Sequence, residues 1–249
     1  MVTRAGLTEF YRAAEDFRRY NCEDPDARKR MARLLREERS RVGRSLLDIA
    51  CGGGALAYCY EGPGRKYVGV DTNPDMIREA RRAARARNSR SRFLFADARR
   101  MRLEGRFDTV TLLGNGLSHL TPGDLVQVLR RLEGHARAGA RFIVDYRDSV
   151  QLFFDRKWAR RYVQHKGGRR IESVTRGIDS ERGEILITGR TQGAPRPTRY
   201  AQTIWAPFVL EPLMAAYGWD LLQRSRERRW FGWRDVYRLR GPGRARPRS

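Results

Sequence analysis

Short, nearly continuous apolar runs recur between residues 45 and 146 and dominate the hydrophobic pattern of the chain. Their sequences are SLLDIA, KYVGVD, RFLFAD, FDTVTLLG and ARFIVDY, and segments with helical periodicity separate most of them. Strands that are apolar on both faces are typical of a sheet that helices cover on its two sides. Because these strands alternate with helices, the pattern predicts an α/β fold with a parallel sheet built from βαβ units.

The pattern changes on either side of this region. Residues 7–40 predict one or two charged amphipathic helices with a break at Asp24-Pro25. Between residues 159 and 206, short runs interrupted by glycine and charge predict an antiparallel meander. After the meander, PFVLEPLMAAYGW predicts a helix, and DLLQRSRERRW and RDVYRLR predict two final strands.

These elements predict one domain over residues 1–249. We expect its parts to be N-terminal cap helices at 1–40, a core at 41–150 and 207–240, an antiparallel insertion on the substrate side at 151–206, and a disordered basic tail at 241–249.

The chain is strongly basic, with 52 Lys and Arg against 29 Asp and Glu and a formal net charge of +23. A basic surface attracts nucleic acid, because phosphate contacts release counterions. Arginine is nevertheless spread through every segment, which favours a chain-wide bias over one docking patch. We therefore expect weak, salt-sensitive RNA binding without efficient use of RNA as a substrate.

Targeting and cysteine patterns narrow the class of protein further. No apolar stretch approaches the ~18 residues of a membrane span, and the first residues lack the apolar core of a secretory signal. The cysteines Cys22, Cys51 and Cys59 are odd in number and form no CxxC pair, which disfavours a disulfide framework or a zinc site. We expect a cytoplasmic protein without a membrane partner or a metal; its oligomeric state stays open.

The stretch LLDIACGGGALA places glycines between a predicted strand and a predicted helix. Gly52, Gly54 and Ala57 fit the dinucleotide fingerprint GxGxx[G/A], and Asp71 ends the next strand at the spacing of a ribose-binding acid. This spacing alone would indicate NAD. Two further acids, Asp48 in the first strand and Asp97 at the end of the third, are expected at the same edge of the sheet.

The charge of the ligand separates these alternatives. A pyrophosphate gains nothing from additional carboxylates, whereas S-adenosyl-L-methionine carries a sulfonium and an ammonium and has no phosphate. The carboxylates therefore favour the cationic cofactor, although each one has an alternative interpretation as a helix cap or a loop acid.

At these motifs the chain resembles the class I S-adenosylmethionine-dependent methyltransferases. DIACGGG is similar to the first motif of that family, with Ala50 in place of its first glycine, and VGVD, FADA and FDTVTLLGNGLSHL are similar to the next three. The resemblance implies a Rossmann-like, doubly wound, mostly parallel seven-stranded sheet. It also implies that Asp71 holds the ribose hydroxyls, Asp97 the adenine amine, residues 50–54 the methionine portion, and that Met76 lies against the adenine.

We accordingly predict one set of cofactor-binding residues from the resemblance. The set is Asp48, Ala50, Cys51, Gly52, Gly54, Asp71, Thr72, Met76, Asp97, Ala98, Leu113, Gly114, Asn115 and, from the N-terminal helix, Tyr11.

LLGNGLSHL resembles the corresponding segment of glycine N-methyltransferase-like small-molecule enzymes, with Gly114, Asn115 and His119 matching its pattern. Methyl transfer needs positioning more than a fixed catalytic group, but a nearby base is useful. His119 and Tyr146 are therefore catalytic candidates, and Arg147 is a candidate for binding an acidic substrate. The alternative, that Ser118 and His119 cap or pack the start of the following helix, is the favoured interpretation of this histidine.

The sequence thus predicts an S-adenosylmethionine-dependent methyltransferase that moves a methyl group to nitrogen or oxygen of a small molecule by in-line displacement. The alternatives are an RNA or protein methyltransferase that uses the basic surface, an NAD-dependent oxidoreductase, and a cofactor-binding protein that has lost catalysis.

Overall fold

A computed structural model describes residues 25–155, 158–166, 169–227 and 232–241. The predicted helices before residue 25, including Tyr11, and the tail from residue 242 lie outside the described residues. Within them, no helix has the length and apolar character needed to cross a membrane.

A seven-stranded sheet forms the centre of the molecule, in the order β3-β2-β1-β4-β5-β11-β10. All neighbouring pairs are parallel except those made by β11, which runs antiparallel to β5 and β10. The strands are β1 (Ser45–Ile49), β2 (Lys66–Asp71), β3 (Arg92–Phe95), β4 (Phe107–Leu112), β5 (Ala136–Arg147), β10 (Trp219–Glu227) and β11 (Gly232–Leu239). The predicted doubly wound, mostly parallel seven-stranded sheet is confirmed.

Helices cover both faces of this sheet. They are α1 (Pro25–Glu37), α2 (Ala55–Tyr60), α3 (Pro74–Ala86), α4 (Pro122–His135), α5 (Ser149–Phe154) and α6 (Pro207–Ala216), with a 3₁₀ helix at Gly116–His119. Side chains mark the helix starts, because Asn73 accepts hydrogen bonds from the first-turn N–H groups of α3, and Thr121 with Asp124 forms a capping box on α4.

The apolar core lies on both sides of the sheet, as the continuous apolar runs predict. Leu46 and Leu47 are adjacent in β1 and both have no exposed surface. Leu46 packs in the cluster with α1, α2 and α3, whereas Leu47 packs in the cluster with α4 and α6. Successive side chains of a strand point to opposite faces, so full burial of both requires cover on each side.

The insertion between β5 and α6 forms a separate four-stranded antiparallel sheet in the order β6-β7-β8-β9. Its strands are β6 (Arg161–Lys166), β7 (Arg169–Asp179), β8 (Glu184–Thr191) and β9 (Thr198–Thr203). The predicted antiparallel insertion is therefore confirmed.

The inner face of the insertion is apolar and packs toward the rest of the molecule. Ile171, Ile185, Ile187 and Tyr200 form a cluster there, and Phe153 of α5 packs against it. β9 lies beside the 3₁₀ helix that follows β4. The insertion consequently stands next to the carboxyl edge of the large sheet, where ligands bind in folds of this kind.

Candidate functional site

The glycine loop at residues 50–54 connects β1 to α2 through several left-handed residues. Ala50, Gly52 and Gly54 have φ angles of 55°, 51° and 80°. The left-handed conformation costs a non-glycine residue about 1–2 kcal/mol, so it is tolerated at Ala50 only because the surrounding fold imposes it. The Gly54 N–H donates to the Cys51 carbonyl at 3.0 Å, which closes the turn.

The two glycines named as ligand contacts have different surroundings. A Cβ at Gly54 would lie 2.7 Å from Cε1 of Phe93, whereas a Cβ at Gly52 would meet nothing within 4 Å. Gly54 is therefore required by packing inside the protein. Gly52 faces open space, as does Gly114 at the end of β4, and these two positions leave room for a ligand against bare backbone.

Asp71 lies at the end of β2 and faces the glycine loop. Its carboxylate accepts hydrogen bonds from the Gly52 N–H at 2.9 Å and from the Asn73 N–H at 2.8 Å. Burial raises the pKa of Asp71, and the backbone hydrogen bonds only partly oppose this rise. The helix cap is Asn73, so the alternative interpretation of Asp71 as the cap of α3 is not needed.

Asp48 is a buried carboxylate at the next-to-last residue of β1, and hydroxyl groups are its hydrogen-bond donors. The Tyr67 hydroxyl donates to it at 2.6 Å and the Thr111 hydroxyl at 2.7 Å. Burial, with smaller contributions from the nearby charges of Asp71 and Asp145, raises the pKa of Asp48 to about 6, although the two hydrogen bonds oppose this rise. Asp48, Asp71 and Asp145 therefore form a region of negative potential at this edge of the sheet.

Asp145 was not among the predicted residues, although it stands near the end of β5. Its carboxylate accepts a hydrogen bond from the Asn115 N–H at 2.8 Å. The acid in ARFIVDY carries the same strand-end signal that identified Asp48, Asp71 and Asp97. The predicted site residues of this strand were its neighbours Tyr146 and Arg147 instead.

Asn115 connects the ends of β4 and β5 through its side chain. Its Nδ2 donates to the Ser118 hydroxyl at 3.1 Å, and its Oδ1 accepts from the Arg147 N–H at 3.1 Å. Both ends of the amide are thus engaged with the protein. Asn115 holds this edge in place, and the neighbouring Gly114 leaves the backbone open.

Asp97 follows β3 by two residues and is paired with a guanidinium. Arg99 contacts both carboxylate oxygens of Asp97 and also reaches Asp124 at 2.9 Å. The hydrogen bonds from Arg99 lower the pKa of Asp97. Asp97 is therefore an ionised and already compensated carboxylate, unlike Asp48 and Asp71.

The remaining predicted cofactor residues surround the same edge. Met76, Ala98 and Leu113 are buried, Cys51 is buried beneath the loop, and Thr72 is exposed after β2. Gly69 of β2 allows the close approach of Cys51, since a Cβ there would lie 2.7 Å from the Cys51 Sγ.

His119 ends the 3₁₀ helix that follows β4. Burial lowers the pKa of its imidazole to about 4, so the ring is neutral at physiological pH. A neutral ring is able to take up a proton, although a pKa this low makes it a weak base. Its catalytic role stays a prediction.

Tyr146 belongs to a buried network on the other side of β5. Its hydroxyl donates to Asp235 at 3.0 Å, and the Tyr237 hydroxyl donates to the same carboxylate at 2.9 Å. Arg224 pairs with both oxygens of Asp235, each at 2.9 Å. This surrounding explains Tyr146 as part of the core and gives no support to a catalytic role.

Arg147 is exposed at the carboxyl end of β5 and lies close to the insertion. Burial raises the pKa of Tyr200 on β9, and the positive charge of Arg147 opposes this rise by favouring the ionised tyrosine. Arg147 is therefore placed between the sheet edge and the inner face of the insertion, where a substrate could reach it.

No group of three or more His, Cys, Asp or Glu side chains within the described ranges is arranged to hold a metal ion. The chemistry of this edge rests instead on carboxylates, bare backbone and hydrophobic walls, a combination that suits an organic cation.

Comparison with known proteins finds similarity to methyltransferases in this region. A family model described as a methyltransferase domain matches residues 46–139, from β1 into β5. Residues of this chain are 43% identical over 72 residues to the demethylmenaquinone methyltransferase of Thermus thermophilus, a match that covers 28% of this chain and 33% of that protein. The match thus spans about a third of the length of that relative.

A second relative extends beyond the matched family region. The chain is 25% identical over 175 residues to the cypemycin N-terminal methyltransferase of a Streptomyces species, covering 70% of this chain and 71% of the relative.

Solved structures share most of the fold of this chain. An S-adenosylmethionine-dependent methyltransferase from Clostridium acetobutylicum superposes with a TM-score of 0.72 at 16% identity, over 89% of this chain and 96% of that one. The sugar N-methyltransferase KedS8 from Streptoalloteichus superposes with a TM-score of 0.59 at 22% identity, over 86% of each chain. The shared fold therefore includes regions beyond residue 139.

Proposed function

We propose that the whole chain methylates a nitrogen atom of a small molecule. The premise is that residues 46–139 are a methyltransferase domain in the class I S-adenosylmethionine-dependent fold. The observation that carries this proposal is the edge formed by Asp48, Asp71 and bare backbone at Gly52. Within the described part of the chain, neither carboxylate is paired with a cationic side chain.

The residues at this edge fit S-adenosylmethionine. The open space at Gly52 and Gly114 allows a ligand to approach the backbone, and Asp71 is held by backbone donors with acceptor capacity remaining for ribose hydroxyls. When bound, this cofactor supplies a methyl group activated by a positively charged sulfur. The negative potential of Asp48 and Asp71 would stabilise that charge and would give no advantage to a pyrophosphate.

The work of the protein in this reaction is to position the acceptor and to exclude water. The acceptor nitrogen uses its lone pair to form the new C–N bond while the C–S bond breaks, and the product ammonium then loses a proton. Bulk water is the destination of that proton in this proposal, because His119, with a pKa of about 4, is too weak a base to take it from an ammonium group.

The insertion supplies the wall of the acceptor site in this proposal. Arg147 and Tyr200 lie where the sheet edge meets the inner face of the insertion, so an acceptor with an acidic group is expected to bind there through Arg147. The names of the cypemycin and sugar methyltransferases state methylation at an N-terminus and at nitrogen, which favours nitrogen over oxygen.

Calorimetry tests the cofactor first. S-adenosylhomocysteine should bind and NAD should not. Tight NAD binding without binding of an S-adenosyl ligand would overturn the proposal.

A transfer assay with methyl-labelled cofactor then tests the acceptor class. Pools of small amines, amino acids, amino sugars, hydroxy compounds, N-terminal peptides and bulk RNA are compared at near-physiological salt. Labelling of small amines, lost in Asp71→Ala, supports the proposal. Efficient labelling of one RNA position, also lost in Asp71→Ala, replaces it with RNA methylation, and labelling confined to hydroxy compounds replaces nitrogen with oxygen.

A further inference from the structure

The two faces of the insertion differ strongly in charge. Its inner face is the apolar cluster of Ile171, Ile185, Ile187 and Tyr200. The strand register places a second set of side chains on the opposite side, here called the outer face. The outer face carries the arginines Arg161, Arg170, Arg176, Arg190 and Arg199 and the carboxylates Glu172, Asp179 and Glu184, so its arginines outnumber its acids. Its other side chains include Val163, His165, Val174, Leu186 and Thr188.

A cleft of about 360 Å³ opens on the outer face. Two arginines of β7 and one of β8 line it, together with a single carboxylate. The lining residues are Arg170, Glu172, Val174, Arg176, Thr188, Arg190 and Pro197.

The one carboxylate of the cleft is already engaged. Glu172 contacts Arg161 at 2.5 Å and Arg170 at 2.8 Å, and the hydrogen bond from Arg161 is the main reason that its pKa is lowered. The guanidiniums of Arg190 and Arg199 are exposed and have no carboxylate partner among the residues that the structure describes. The outer face thus retains uncompensated positive charge.

A further arginine of this surface stands at a bulge in β7. The register between β7 and β8 shifts between Thr175 and Gly177, which makes Arg176 the extra residue. Its Nε donates to the Thr188 hydroxyl on the outer face at 3.1 Å. Arg176 therefore lies on the same side as Arg190, in line with the alternation of Glu172 and Val174 along β7.

We propose that the outer face binds the phosphate backbone of single-stranded RNA without reading its sequence. The arginines extend across four neighbouring strands, which are spaced about 4.8 Å apart, so the charge covers roughly 14 Å and meets several phosphates in succession. Guanidinium groups bind phosphate oxygens in bidentate geometry. Apart from the imidazole of His165, no aromatic side chain lies on the outer face within the described strands, so bases have little stacking surface there.

This binding surface is separate from the methyl-transfer site. The inner face of the insertion lies toward α5 and the sheet edge, whereas the arginine cleft lies on the opposite face of the same sheet. RNA on the outer face is accordingly a docking partner and not the methyl acceptor.

Fluorescence anisotropy with a labelled 20-nucleotide RNA of mixed sequence tests the proposal over a salt series. The test variant combines Arg176→Gln, Arg190→Gln and Arg199→Gln. A matched control combines Arg36→Gln, Arg85→Gln and Arg130→Gln, which removes the same charge from exposed positions on α1, α3 and α4.

We expect the outer-face variant to bind RNA at least tenfold more weakly at low salt and to lose about 2 from the slope of log affinity against log salt, since single strands contribute about 0.7 per phosphate contact. The control should stay within about twofold of the parent protein, because its arginines are scattered. Both variants should bind S-adenosylhomocysteine normally, which verifies the fold independently of RNA.

Equal losses in the two variants, or no RNA binding by the parent protein, would overturn the proposal, because the charge would then act diffusely or not at all. Competition by polyglutamate as efficient as by unlabelled RNA would replace RNA with an acidic peptide. If the triple variant does not fold, Arg190→Gln and Arg199→Gln are measured singly, and an unchanged affinity in both contradicts the proposal.

Discussion

Two sets of buried carboxylates in the large sheet differ in how their charge is compensated. Asp235, with no exposed surface, pairs with Arg224 and accepts hydrogen bonds from Tyr146 and Tyr237. Asp48 and Asp71 receive hydrogen bonds only from neutral hydroxyl and backbone groups of the described residues.

This difference separates a structural carboxylate from one that is prepared for a ligand. A buried carboxylate without a cation is costly, and burial raises the pKa of both Asp48 and Asp71. A positively charged ligand at the sheet edge would offset that cost. Asp235 has no such capacity left, because its own arginine already compensates its charge.

The largest expected effect comes from removing the compensated charge. Asp235→Asn removes the fully buried carboxylate of this network and leaves Arg224 only its contact with the more exposed Glu211, so the free energy of unfolding should fall by about 3 kcal/mol. Urea unfolding measures this loss of stability.

Tyr146→Phe, which removes one neutral hydrogen bond, should cost about 1 kcal/mol of stability and leave the turnover number unchanged. A large loss of turnover in folded Tyr146→Phe would restore its predicted catalytic role.

A pair of glycine substitutions separates the core side of the loop from its open side. Gly54→Ala forces a Cβ against Phe93 in left-handed backbone, so we expect about 2 kcal/mol of destabilisation in thermal or urea unfolding. Gly52→Ala meets no protein atom and should cost about 1 kcal/mol of stability, yet weaken S-adenosylhomocysteine binding more than Gly54→Ala does. The reverse order of binding losses would show that Gly52 does not face the ligand.

Asp71→Asn tests the uncompensated carboxylate directly. Loss of a charge-assisted hydrogen bond should weaken S-adenosylhomocysteine binding by about 2 kcal/mol, or roughly 30-fold, while the fold is retained. Asp75→Asn removes the same charge from the neighbouring turn of α3 and serves as the calorimetric control. Unchanged affinity in folded Asp71→Asn would remove this residue from the site.

The smallest expected effect is the pH dependence that Asp48 introduces. Its pKa is raised to about 6 in the folded chain, so its ionisation cost is absent below the unfolded pKa and fully present above pH 6. A cationic ligand favours the ionised form, so affinity for S-adenosylmethionine should rise about tenfold from pH 5 to pH 7 and then level off. In Asp48→Asn this rise should disappear; a rise of the same size would assign it to another group.

The apolar runs of the sequence were sufficient to predict the parallel sheet, because burial on both faces leaves a continuous hydrophobic pattern. The meander was also predictable from its short, interrupted runs. The candidate edge was predictable in part, since Asp48 lies near the end of one strand signal and Asp71 ends the next. Asp145 was missed because it stands beside Tyr146 and Arg147, and only strand pairing shows which of three adjacent residues faces the edge.

Spacing along the chain determined which elements form and which of their ends meet, since strand periodicity and glycine position are local properties. The tertiary structure decided what each polar residue does. It paired Asp97 with Arg99 and buried Tyr146 against Asp235. It placed Phe93 against Gly54 and left Gly52 open. It also brought arginines that are distant in sequence together on one face of the insertion. Charge compensation and close packing depend on residues distant in sequence, and those neighbours exist only after the chain has folded.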